Sequence, residues 1–121
     1  MVRTETIIAV ESVPASSLFY QKLLGCNSAH GGETFEILTV DNHVILCLHK
    51  WGEHAHPTLL QPKNAGNGLI LFFRVANLQE VFENATKLDA TFEKEIHYNE
   101  NSLKNQFILR DPDNYYLMIS E

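Results

Sequence analysis

Two periods of hydrophobic spacing run along this chain, and the switches between them mark its elements. Residues 4–10 are rich in β-branched side chains and predict a strand. Ser12-Val13-Pro14 opens a helix, with proline in the first turn, where a missing N–H costs little. Ala15, Leu18, Phe19 and Leu23 form its expected buried stripe, and Gly25 supplies a left-handed stop. A turn at His30-Gly31-Gly32 leads to a strand over 34–40, the tight turn Asp41-Asn42, and a strand over 43–50. That strand is apolar on both faces, as a strand covered by a helix should be.

Residues 51–67, with Pro57, Pro62 and Gly66, show no periodicity, and a stretch this long links units or covers a site. The order then repeats. A strand is expected over 68–75 and a helix over 77–88, capped by Asn77 with Glu80 three residues on. Strands follow over 91–97, 106–110 and 115–120, the last two joined by Asp111-Pro112-Asp113-Asn114. Both halves follow one order, a strand, a helix and then further strands, and Asp-Asn occurs in the hairpin turn of both. An internal duplication of roughly 60 residues is the main architectural signal.

Composition narrows the possibilities. The 121 residues suit one domain, and the 45% apolar fraction supplies a core. The net charge of −6 weighs against nucleic acid, whose phosphates need a basic face. No apolar run approaches the ~20 residues of a membrane span, and the N-terminus lacks the apolar core of a signal peptide. The two cysteines, Cys26 and Cys47, fit a reduced cytoplasmic protein.

Two motifs carry a family resemblance. Ser17-Leu18-Phe19-Tyr20-Gln21-Lys22-Leu23-Leu24-Gly25 is similar to the first helix of the vicinal oxygen chelate superfamily, which holds glyoxalase I, the bleomycin-resistance proteins and the extradiol dioxygenases. Asp111-Pro112-Asp113-Asn114-Tyr115-Tyr116-Leu117-Met118-Ile119 resembles its last hairpin. The resemblance implies an α+β fold of two βαβββ modules, residues 1–56 and 68–121 with the linker within 51–67. It implies a curved mixed sheet around a cleft, helices on the outer face, and a homodimer.

Metal-using members draw ligands from four sheet positions. Placed by the flanking motifs, these fall on Glu5, Leu46, Ile70 and Met118. One carboxylate among side chains with no hard donor cannot hold a catalytic divalent ion, which needs about three protein ligands. A slip of one residue would bring in Cys47 but no second histidine or glutamate. No metal and no cofactor are therefore expected.

Alternation from those positions gives the expected cleft face: Glu5, Ile7, Val44, Leu46, Leu48, Lys50, Ile70, Phe72, Arg74, Tyr116 and Met118, with Trp51 as a stacking platform. Apolar walls with a few polar groups are usual for small-molecule pockets. Glu5 is expected to pair with Arg74 or Lys50, or to meet a cationic ligand group. His49 shares the parity of Cys47 and is expected to face the helix layer, and His54 and His56 to sit in a solvated loop. The chain thus resembles the bleomycin-resistance branch: a metal-independent protein, associated with antibiotic resistance, that sequesters a hydrophobic, aromatic or cationic small molecule. The alternative is a lyase, isomerase or dioxygenase-like enzyme with Glu5 as general base and Tyr116 as acid, or with the loop histidines completing a non-standard metal site.

Overall fold

A helix separates the first strand from the rest of its sheet, a connection long enough to let that strand join in parallel. In the computed structural model, which describes residues 1–121, the chain divides into units Met1–Lys63 and Asn64–Glu121. The first holds β1 (Ile7–Val10), α1 (Val13–Leu24), β2 (Asn27–Ser28), β3 (Phe35–Val40) and β4 (His43–Lys50). Its sheet has the order β1-β4-β3-β2, with β1 parallel to β4 and the other pairs antiparallel. The second repeats the plan with β5 (Leu71–Arg74), α2 (Leu78–Lys87), β6 (Thr91–Asn99), β7 (Lys104–Arg110) and β8 (Tyr116–Ser120), in the order β5-β8-β7-β6. The fold is α+β, two βαβββ units each with a four-stranded mixed sheet.

Local chemistry explains the helix ends. Ser12 Oγ accepts from the Ala15 N–H at 3.2 Å, and Asn77 Oδ1 accepts from the Glu80 N–H at 3.1 Å, each satisfying an orphan donor of a first turn. Gly25, at φ 70°, closes α1 by donating to the Gln21 carbonyl. The buried face of α1 is Val13, Ser16, Ser17, Tyr20 and Leu23. The expected stripe is thus corrected: Leu18 is 51% exposed, and two small serines bring the helix close to the sheet while Tyr20 fills the core.

The tight turn is as its residues suggest, with both Asp41 and Asn42 at positive φ, the requirement of a two-residue hairpin loop. Beyond it the register shifts. Thr39 pairs with Val44 but Leu38 pairs with Leu46, so Ile45 is an extra residue on β4. Such a bulge moves every later side chain to the opposite face. Leu46 and Leu48 therefore lie with Ile8, Val10 and Leu38 beneath α1, all fully buried or nearly so. Cys47 and His49 lie on the open face with Ile7, Ile37 and Phe35. This reverses the expected parity of β4: Leu46 and Leu48 are core, Lys50 shares their side of the sheet, and His49 does not face the helix.

No such shift interrupts β8. Leu71, Leu117, Ile119, Phe107 and Leu109 share the α2 side of their sheet. Phe72, Met118, Tyr116 and Arg74 share the other. The aromatic trio Phe82, Phe92 and Phe107, with centroids 5.2 to 6.0 Å apart, ties α2 to β6 and β7.

Candidate functional site

β4 ends in a segment that doubles back over the open face of its own sheet. Gly52 takes φ 82°, and His54 and Ala55 follow at 61° and 54°. The Gly52 N–H donates to the Leu59 carbonyl at 2.6 Å, closing the loop, and Pro57–Leu59 forms one 3-10 turn. Two consecutive non-glycine residues in the left-handed region cost about 1–2 kcal/mol each, though histidine visits it more readily than most. That conformation brings the His54 ring onto β4. Ala55→Gly should relieve the strain, partly offset by the greater freedom of glycine in the unfolded chain. We expect a stability gain of up to about 1 kcal/mol in urea denaturation.

Beneath the loop is a groove of about 710 Å³. Ile7, Thr34, Phe35 and His49 form its sheet wall, His54, His56, Pro57, Thr58 and Leu59 its loop wall, and His30 one end. All belong to the first unit. Rings meet edge to face from His30 to Phe35 (5.4 Å), Phe35 to His49 (6.3 Å), and His49 to both His54 (4.9 Å) and His56 (5.2 Å). His49 is 2% exposed. Its Nδ1 lies 2.7 Å from the Lys50 carbonyl and its Nε2 lies 3.0 Å from His54 Nδ1.

Glu36 holds the His30 end from behind the sheet. Its side chain is buried and accepts from the backbone N–H groups of His30, Gly31 and Ile37 and from the hydroxyls of Ser17 and Ser28. Burial pushes its carboxyl up, but the bonds from Gly31, Ser28, Ile37 and His30 outweigh that and hold it below the usual 4.5. The anion thus pins residues 28–37, which deliver His30, Thr34 and Phe35.

Ile7 lines the groove, while Leu46 and Leu48 are sealed beneath α1. Glu5 is exposed rather than enclosed in an apolar cleft, which removes the burial its role as a general base required. Val44 and Trp51 are half-buried and Lys50 is exposed, and none of them lines the groove. In the second unit, Ile70 and Tyr116 border a shallower depression of about 450 Å³ with Arg110. The Arg110 guanidinium lies 4.9 Å from the Tyr116 ring centroid and bonds Glu93 at 2.8 Å. Arg74 lies over Phe72 at 5.1 Å and donates to the Glu121 backbone oxygen. Met118 is half-buried beside Phe72.

Donor chemistry decides whether the metal-ligand positions suit an ion. Register pairs Ile7 with Cys47 as it pairs Phe72 with Met118, so the β4 position is Cys47 rather than Leu46. Burial and the nearby charge of Glu5 both push the Cys47 thiol up, away from the thiolate a metal needs. The second unit offers Ile70 and Met118. These donors do not fit a catalytic divalent ion, and no group of three or more His, Cys, Asp or Glu side chains is arranged to hold one.

Sequence reasoning missed His30, Thr34, Phe35, His49, Pro57, Thr58 and Leu59 and set His54 and His56 aside. Gly52 between His49 and His54 was the available signal, since a glycine there lets the chain fold back.

No protein-family model matches the chain, and no curated protein sequence matches it. Solved structures do. A glyoxalase/bleomycin resistance protein/dioxygenase family enzyme from Burkholderia phytofirmans PsJN superposes with a TM-score of 0.80 at 20% identity, covering 96% of this chain and 94% of its own. A lactoylglutathione lyase from Agrobacterium tumefaciens gives 0.73 at 16%, covering 99% and 92%. A protein of unknown function from Agrobacterium tumefaciens str. C58 gives 0.81 at 18%, covering 100% and 94%. With the repeated βαβββ units and the two motifs, these likenesses show that the chain has the fold of the glyoxalase/bleomycin resistance/dioxygenase proteins, the vicinal oxygen chelate superfamily.

Proposed function

We propose that this protein binds a small planar aromatic molecule in the groove of its first unit, without a metal, in the manner of the bleomycin-resistance branch. The observation that carries this reading is the groove itself: an apolar recess edged by Phe35 and four imidazoles, closed by a loop held in a strained turn. Such a recess offers apolar area and ring edges to a flat guest, with the imidazole nitrogens outside the His49 contacts as partners for its polar rim. The lining contains no carboxylate. A cationic guest would therefore find no counter-charge in it, and a neutral or acidic aromatic ring fits better.

A thermal-shift titration with naphthamide, a neutral two-ring probe, tests this. At about ten times its Kd a ligand of the native state adds about 1.4 kcal/mol, which raises the melting temperature by several degrees in a domain of this size. Leu59→Trp fills the groove and should abolish the shift. Equal stabilisation of that variant would place the probe elsewhere and defeat the reading, as would the absence of any shift in the native protein.

A further inference from the structure

Building on that reading of the groove, we propose that its natural guests are planar aromatic acids, bound as anions together with one proton taken up by the His49–His54 pair. A backbone carbonyl can only accept, so the 2.7 Å contact to Lys50 places a hydrogen on His49 Nδ1. In the neutral ring His49 Nε2 is then an acceptor, and His54 Nδ1 donates to it across 3.0 Å. The second nitrogen of His54 keeps its lone pair. One added proton there leaves both hydrogen bonds intact and makes the shared bond charge-assisted. A second proton would set N–H against N–H and break the contact. The pair is built to carry one positive charge and to refuse two.

The surroundings make that charge the one available to an anion. The titratable groups lining the groove are His30, His49, His54 and His56, with no lysine or arginine among them. Lys50 contributes its carbonyl to His49. Of the acidic groups nearby, Glu36 lies on the other side of the sheet and is consumed by its five donors. Glu5 acts on Cys47, and Glu33 and Glu53 stay outside the lining. An anion entering this apolar recess meets no fixed cation, so it must bring a proton with it. Imidazole is the side chain able to accept one between about pH 5 and 8.

The test compares naphthoate with naphthamide, which match in shape and differ in charge, by titration calorimetry at about pH 6 and about pH 8 in buffers of different ionisation enthalpy. Naphthoate should bind about tenfold or more tighter at the lower pH, with uptake averaging about half a proton or more across the interval, since coupled protonation sets the slope of log affinity against pH. Naphthamide should show neither effect. His54→Asn tolerates the left-handed backbone and can donate to His49 without titrating, so it should cut proton uptake on naphthoate binding to near zero. Naphthoate binding without proton uptake overturns this inference, as does uptake that persists in His54→Asn. Naphthamide binding alone overturns it while leaving the binding reading intact. Binding of neither probe overturns both.

Discussion

Glu36→Leu should cost about 3–5 kcal/mol of stability, because it strands the neutral donors now bonded to a buried carboxylate. Three backbone N–H groups and two hydroxyls converge on this carboxylate. Leucine has nearly the same bulk and no acceptor. Each stranded donor would lose about 1–3 kcal/mol, and relaxation of the 28–34 loop into water would recover part of that sum. Glu36→Gln retains one acceptor oxygen but turns an amide N–H₂ toward donors, so it should fall between leucine and the native residue. Urea denaturation followed by far-ultraviolet circular dichroism measures both. A loss below about 1 kcal/mol for leucine, the scale of an ordinary surface change, would mean the cluster is dispensable.

The same residue should govern acid sensitivity. Its carboxyl is held below the ordinary 4.5 in the folded protein, so folding favours the ionised form. The stability this contributes is fully present above the unfolded value and is lost as pH falls through the folded one. The slope of stability against pH below about 4.5 should therefore be shallower in Glu36→Gln than in the native chain. Because Glu36 anchors the segment that carries His30 and Phe35, loss of the cluster should also weaken groove binding before the unit unfolds.

How far the sequence reveals this molecule differs between its two halves, for a physical reason. The two helix starts, the cap at Asn77 and the left-handed stop at Gly25 rest on local stereochemistry, and all are where the residues placed them. In the second unit Phe72, Arg74, Tyr116 and Met118 do share one side of the sheet, as alternation has them, because β8 pairs without interruption from Tyr116 onward. In the first unit one bulged residue, Ile45, reversed β4. Nothing in the run Val44-Ile45-Leu46-Cys47-Leu48 could disclose it, since a strand apolar on both sides reads the same in either register. The consequence was large: His49 moved from the helix layer to the groove, and Leu46 and Leu48 moved the other way. The loop histidines were illegible for a different reason. Their position depends on backbone angles at Gly52, His54 and Ala55 that only the folded chain fixes. Glu36 was hidden because a buried carboxylate in a strand looks like an exposed one until its donors are known.

Phe107→Ala should be the most damaging core substitution in the second unit, at about 3–5 kcal/mol. The size of the loss depends on what α2 has to pack with. Its buried residues are Leu78, Val81 and Ala85, a modest set for a helix whose other face is polar. The remaining contact is aromatic: Phe82 meets Phe107 edge-on at 5.2 Å, and Phe92 meets both rings. Phe82 and Phe92 are half-buried, whereas Phe107 is 0% exposed. Truncating either of the first two opens a surface notch that water can fill. Truncating Phe107 leaves an apolar cavity that water does not stabilise, so the loss of transfer free energy is joined by the loss of packing around the void. Phe107→Leu keeps most of the volume and should cost about 1–1.5 kcal/mol. The ordering is the test. If Phe82→Ala proves as damaging as Phe107→Ala in denaturant unfolding, α2 is held by the ring on its own face and not by the β7 ring beneath it.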